Sequence, residues 1–292
     1  MARVAIVGVG AIGGALAGHL ARTGRHQITL CRRRPVDAAD GALLVHLPEG
    51  DVLVKGLSVS DPAQAPPVVW VIVTTKTYDA EGAAKWFPRL GAEGARVAVV
   101  QNGVEHRERF APYLSADRLL PVVIDCPTER KRDGSINVRG GTLMKVEDEA
   151  MGQEFAKLFE GSAVKMDLVA DFTTAAWWKL CINAPGALNA LTLKPASVLW
   201  TDEMSRVAIA MVDECVAVGR AEGAKLDDGM GEFVMSLYRK HPADSINSIL
   251  ADRMAGRQME TDARNGAIVR KGEKHGIATP LNRMAVALLN AV

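Results

Sequence analysis

The pattern Gly8-x-Gly10-x-x-Gly13 lies between the apolar run Val4-Ala5-Ile6-Val7 and a helical stretch beginning at Ala11, and it constrains this chain more than any other feature. The first glycine permits a tight turn, and the second lets backbone amides approach a pyrophosphate. The third lets helix and strand pack closely, while the helix N-terminus faces the anion. Glycine-rich turns are common, and a merely structural turn is the alternative. Here the preceding strand, the spacing and the βα units that follow agree. Gly8, Gly10, Ala11, Ile12 and Gly13 are therefore expected to cradle a dinucleotide.

The residue ending the second strand selects the dinucleotide. An NAD site calls for an acidic side chain there, to accept the ribose hydroxyls. This chain reads Leu30-Cys31-Arg32-Arg33-Arg34, with no carboxylate until Asp37. A guanidinium suits a 2′-phosphate by charge and by bidentate geometry. A solvated basic turn is the alternative, but Arg32 occupies the discriminating position, so NADP is expected. Lys76 follows the apolar segment Val71-Ile72-Val73, and Gln101-Asn102-Gly103 follows Val99-Val100. Ligands of open α/β sheets sit outside the carboxyl ends of strands. Lys76 and Gln101 are thus expected to meet the cofactor, and Asn102 the cofactor or the substrate; a surface lysine and a turn asparagine are the plain alternatives.

The first half alternates β-branched runs with helical patterns, with strands expected over 4–7, 27–31, 69–74, 96–100 and 119–124, and the clearest helix over 11–22. Residues 135–138 and 142–146 suggest a hairpin at the sheet edge, followed by a helix over 153–159 and a strand over 163–166. Beyond position 169 the periodicity is helical throughout, over 173–192, 204–222, 231–239, 245–255, 261–275 and 282–290. The expected class is an α/β domain of Rossmann type with a parallel sheet over residues 1–168, followed by an all-α domain over 169–292 serving substrate and dimerisation. Lys+Arg total 35 and Asp+Glu 34, which speaks against nucleic acid or a polybasic membrane contact. Cys31, Cys126, Cys181 and Cys215 are scattered, so no metal site or disulfide framework is expected. No run of apolar residues is long enough to span a bilayer, and a soluble cytoplasmic protein is expected. Homodimerisation through the helical half is compatible with the pattern but fixed by no residue.

Within the helical half, Lys179 and Asn183 stand at i, i+4 in Trp177-Trp178-Lys179-Leu180-Cys181-Ile182-Asn183 and share a helical face. Lysine is rarely buried without a partner. It is either a snorkelling side chain or a general acid, because reducing a ketone requires hydride at carbon and a proton at oxygen. Ser248 and Glu260 lie on successive helical segments separated by Gly256 and could converge on one site. Read singly, Ser248 is an ordinary helix residue and Glu260 a first-turn carboxylate favoured by the helix dipole.

In combination these features resemble the ketopantoate reductases (2-dehydropantoate 2-reductases). The likeness covers the glycine loop, the Lys76 segment, Gln101-Asn102-Gly103, Lys179-Leu180-x-x-Asn183 and the long run from Ser248 to Asn282. That run includes Asp252, Gly256, Arg257, Glu260, Asp262, Asn265-Gly266, Gly272, His275-Gly276 and Thr279-Pro280-x-Asn282. The resemblance implies NADPH on the first domain, a small 2-oxo acid in the cleft, and Lys179 as the general acid. It further implies that Asn102, Asn183 and Ser248 hold the substrate while Glu260 orients Lys179 or the substrate hydroxyl. A nearby carboxylate would also favour the protonated lysine.

One departure stands out. The family often carries a second asparagine four residues after the first, whereas position 187 here is alanine and Asn189 comes two residues later. A kink at Pro185-Gly186 is the expected means of bringing Asn189 back to the substrate. The alternatives are a reductase of another 2-oxo acid or ketone and a dinucleotide-sensing protein without catalysis.

Overall fold

The computed structural model describes residues 1–35 and 41–292; Asp37 lies outside the described residues. The chain divides into two compact units. The first comprises Met1–Gln101 and His106–Ala170, and the second Asn102–Glu105 and Asp171–Val292.

The first unit is built on β1 (Ala2–Val7), α1 (Ala11–Arg22) and β2 (His26–Cys31). The hairpin β3 (Leu43–Leu47) and β4 (Gly50–Val54) and the short β5 (Leu57–Val59) come next. After β6 (Trp70–Val73) and β7 (Arg96–Val99) the sheet closes with β8 (Leu119–Pro121). Short helices α2 (Ala80–Ala84), α3 (Phe87–Leu90) and α4 (His106–Phe110) lie between these later strands in sequence. The six-stranded sheet runs β5-β2-β1-β6-β7-β8, and every neighbouring pair is parallel. Taken in chain order its members follow 3-2-1-4-5-6, the Rossmann arrangement, with the order reversing between β1 and β6. Strand periodicity supplies both faces. Val4 and Ile6 pack in one apolar cluster with Leu16 and Leu20 of α1, while Ala5 and Val7 join Val71, Val73, Phe87 and Phe110 in another. A strand buried on both faces must read as a continuous apolar run, as β1 does.

Two smaller sheets complete the unit: β10 (Thr128–Arg130) with β11 (Ile136–Val138), β3 and β4, and β9 (Val123–Asp125) with β12 (Thr142–Glu147) and β13 (Val164–Val169). The expected single strand over 119–124 is thus two, belonging to different sheets. The expected hairpin of 135–138 with 142–146 does not form either. Residues 136–138 instead pair antiparallel with β10 and residues 142–147 with β13 and β9. The hairpin turn lies one step earlier, at Asp133-Gly134, where Gly134 adopts φ +87° and Asp133 accepts from the Ser135 amide at 2.9 Å. Asp-Gly supplies the turn geometry, and that pulls 136–138 back onto 128–130. Helix α5 (Ala150–Leu158) adds Phe155 to the first apolar cluster.

The second unit is helical: α6 (Phe172–Asn183), α7 (Gly186–Thr192), α8 (Asp202–Ala221), α9 (Met230–Lys240), α10 (Ser248–Met254), α11 (Ala267–His275) and α12 (Pro280–Asn290). Its core gathers Trp177, Leu180, Met211, Val212, Val234 and Ile268. Helix starts follow from capping: Asp171 accepts from the Thr174 amide at the head of α6, and Thr201 from that of Met204 at the head of α8. The expected helix over 173–192 breaks at Ala184-Pro185, because proline cannot donate to the ladder. Among the described residues no helix is long and apolar enough to cross a membrane.

Candidate active site

In the first unit the glycine loop has the build its sequence implies. Gly8 adopts φ +98°, and a Cβ there would fall 2.7 Å from the Thr75 amide nitrogen. A Cβ on Gly13 would meet the Gly8 carbonyl oxygen at 2.3 Å, so only glycine lets α1 approach β1 this closely. Gly10, by contrast, faces open space. Thr74 Oγ1 donates to the Gly8 carbonyl at 2.7 Å and pins the turn. Helix α1 starts at Gly10 with no side-chain cap and no acidic residue in its first turn. The amides of Ala11, Ile12 and Gly13 are the donors a helix leaves unmet at its start. An open approach at Gly10 and an uncapped, carboxylate-free N-terminus fit a pyrophosphate.

Arg32 directly follows β2, at the position a ribose 2′-substituent would reach. Its Nε donates to Ser58 Oγ at 3.0 Å. Burial lowers its pKa, and the neighbouring Arg130 lowers it further. Lys76 caps a short 3-10 turn over Thr77–Asp79. Gln101 sits against the same turn. Its Nε2 donates to the Thr75 carbonyl at 2.9 Å and to Thr75 Oγ1 at 3.1 Å, and its own carbonyl accepts from His106 Nε2. Gln101 is buried and braces the Thr75-Lys76 turn. The Nε2 end of the side chain is spent on that brace, while Oε1 is buried without a partner among the described residues.

In the second unit three predicted residues form a polar string. Asn183 Nδ2 donates to Asn102 Oδ1 at 3.4 Å, and Asn102 Nδ2 donates to Glu260 Oε2 at 3.1 Å. Asn102 is held there by Gly103 at φ +95°, where a Cβ would meet the Ala263 carbonyl oxygen at 2.5 Å. Lys179 lies one helical turn before Asn183 on α6, half-buried, so the four polar groups belong to one neighbourhood. Ser248 is exposed in the first turn of α10, behind its cap Asn247, and among the described residues no hydrogen bond joins it to the string.

Asn189, expected to stand in for the family asparagine, has its amide engaged within its own unit. It is 1% exposed, and its Nδ2 donates to the carbonyls of Lys194 and Pro195 at 3.0 and 2.9 Å. Its Oδ1 accepts from Asn247 at 3.0 Å. These bonds close the end of α7, where Leu193 is left-handed at φ 56°. The kink at Pro185 exists but does not free this amide for a substrate.

Around the break at Pro185, three buried side chains meet successive carbonyls at the end of α6. Tyr238 donates its hydroxyl to the Ile182 carbonyl at 3.0 Å, Arg264 Nη2 to that of Asn183, and Asn265 Nδ2 to that of Ala184 at 3.1 Å. Burial pushes the Tyr238 hydroxyl up to about 12, against the pull of Arg264. Burial likewise lowers the Arg264 pKa, opposed by Tyr238, Glu260 and Asp252. Arg264 escaped the sequence reading, although its place four residues after Glu260 was a usable signal. Asp252 and Arg257 pair with each other at 2.9 Å, and Asn265 and Asn282 at 2.8 Å. Both pairs are structural.

The family described as "Ketopantoate reductase PanE/ApbA" matches residues 4–150, and its C-terminal counterpart matches residues 171–292. A 2-dehydropantoate 2-reductase of Caulobacter vibrioides is 46% identical over 291 residues, covering 100% of this chain and 99% of that protein. One from Mycobacterium tuberculosis is 36% identical, covering 99% and 97%. The crystal structure of a PanE/ApbA family ketopantoate reductase from Ralstonia eutropha superposes with a TM-score of 0.88 at 32% identity, covering 99% of this chain and 97% of that one. With both halves matched, the chain belongs to the ketopantoate reductase family.

Proposed function

We propose that the protein reduces 2-dehydropantoate to pantoate with NADPH, a step of pantothenate biosynthesis, in the cytoplasm. The observation that carries this reading is the string Asn183–Asn102–Glu260 beside Lys179, in a chain of this family. NADPH supplies the hydride that the ketone carbon receives. The chain's own residues do the rest. The amides of Ala11, Ile12 and Gly13 hold the pyrophosphate, Arg32 takes the 2′-phosphate, and Lys76 adds positive charge at the ribose.

Lys179 gives the proton to the substrate oxygen, and its ammonium offsets the negative charge that develops there as hydride arrives. Glu260 orients Lys179 or the substrate hydroxyl. Asn102, Asn183 and Ser248 orient the substrate. The first unit is thereby the NADP-binding domain and the second the substrate domain. The second also exposes the apolar side chains of Trp200, Phe233, Ile246 and Leu288, and homodimerisation through this half would cover apolar side chains of this kind.

Replacing Lys179 by Ala is expected to lower kcat by about 10²–10⁴-fold while NADPH binding, followed by fluorescence titration, is retained. Near-normal turnover would remove Lys179 from the role of acid. A second reading, reduction of a different 2-oxo acid, is favoured by Ala187 together with the engagement of Asn189 elsewhere. Specificity constants across a panel of 2-oxo acids decide between the two. A value for 2-dehydropantoate far below that of another acid transfers the assignment to that acid.

A further inference from the structure

We propose that Arg130 is a second ligand of the NADPH 2′-phosphate, completing with Arg32 and Ser58 the subsite that selects NADPH over NADH. The inference rests on the cofactor assignment above and concerns residues of the first unit alone.

Arg130 ends β10, a strand packed on α1. Its Nη1 donates to the carbonyl of Val9 at 2.9 Å, so the guanidinium is fixed at the glycine loop itself, between Gly8 and Gly10. Arg32 is fixed from another direction. Its backbone amide donates to the Val59 carbonyl at 2.8 Å, and its Nε to Ser58 Oγ at 3.0 Å. Those bonds orient the guanidinium and hold Ser58 beside it.

The amide of Gly8, next to Val9, donates to the carbonyl of Cys31, next to Arg32, at 3.2 Å, so both guanidinium groups are anchored at the same turn; burial lowers the pKa of Arg32, and Arg130 lowers it further. Among the described residues neither is paired with a carboxylate, in contrast to Arg33, which is held by Asp79 at 2.7 Å. Two adjacent guanidinium groups repel each other. They are stable neighbours where a multiply charged anion bridges them, and a phosphate carrying close to two charges is the ligand that planar, bidentate guanidinium donors suit. In a Rossmann site the pyrophosphate rests on the start of α1, and the ribose 2′-position meets the end of β2. A phosphate on that position arrives at Arg32 and is within the territory of Arg130. The Ser58 hydroxyl has a donor hydrogen to offer the same oxygens. NADH, with a hydroxyl in place of the phosphate, gains nothing from Arg130.

Calorimetric titration of the full chain with NADPH, NADH, 2′,5′-ADP and 5′-AMP tests the assignment. Arg130→Gln keeps a donor for the Val9 carbonyl and removes the charge. It is expected to weaken NADPH and 2′,5′-ADP by about ten- to a hundredfold, with NADH and 5′-AMP changed less than about twofold. Arg130→Lys, which keeps the charge without the fork, should recover part of the loss. Two results overturn the proposal: unchanged affinity for all four ligands in Arg130→Gln, or an equal loss for the phosphorylated and unphosphorylated members. The second would mean that the arginine acts only by shaping the loop. A wild-type chain that does not distinguish NADPH from NADH would remove the cofactor assignment along with this subsite. Failure confined to the variant removes Arg130 alone.

Discussion

Two asparagines show how one residue type serves opposite ends in this protein. Asn102 is half-buried and joins Asn183 to Glu260, while Asn189 is buried and spends its whole amide on the end of α7 and on Asn247. Asn189→Ala removes three hydrogen bonds, to the carbonyls of Lys194 and Pro195 and from the side-chain amide of Asn247. It is expected to cost about 3 kcal/mol of stability in urea unfolding, with KM for the 2-oxo acid shifting less than about twofold. A large KM change at unaltered stability would return Asn189 to the substrate site. The pairing of Lys179 with Asn183 was legible in the sequence because it is local, one turn of one helix. The function of Asn189 was not, because its partners depend on a left-handed residue at Leu193 and on Asn247, 58 positions away. Arg130 lay deeper still, since nothing near it in sequence announces that its strand packs on α1.

Among the elements, the strand–loop–helix unit at the N-terminus combines two kinds of glycine that substitution separates. A Cβ at Gly13 collides with backbone 2.3 Å away, whereas one at Gly10 meets nothing within 4 Å. Gly13→Ala is therefore expected to destabilise the fold by about 3 kcal/mol. Gly10→Ala should melt as the wild type does but bind NADPH about tenfold more weakly, because its methyl occupies the approach of the pyrophosphate. Melting curves with and without NADPH separate the two effects. The parallel strands could be read from the sequence because burial on both faces writes a continuous apolar run. The hairpin of β3 with β4 escaped, although Leu43-Leu44-Val45-His46-Leu47 carries the burial alternation of a half-covered strand. The division of 119–125 into β8 and β9 had a single mark, Pro121 at the end of β8, in a stretch that is otherwise mostly apolar and whose two pieces differ in their partners.

For the molecule as a whole, the formal charge of +1 hides local concentrations that govern its response to acid. Glu222, just past α8, accepts from Lys274 at 2.7 Å and from His275, and pairs with Lys271 at 3.0 Å. Burial alone would push its carboxyl up, but these three donors outweigh it and bring the pKa from 4.5 down to about 2. A carboxylate whose pKa falls on folding adds stability that is complete above its ordinary value and disappears as pH drops through the folded one. The wild type should thus exceed Glu222→Gln in stability at neutral pH, and the gap should narrow between pH 4.5 and about 2. Urea midpoints measured across that range give the test, and a gap independent of pH would show that the cluster does not act through this ionisation.

The residues Asn102–Glu105 belong to the helical unit although the chain on either side of them belongs to the sheet unit. For descent by recombination this means that the two halves are not exchangeable at one junction near residue 170. A gene shuffled there would inherit the tetrapeptide from one ancestor and the Glu260 and Ala263 that receive it from another. The string would then persist only where both lineages had kept the same partners. Four residues in the middle of one half thus tie the histories of both together.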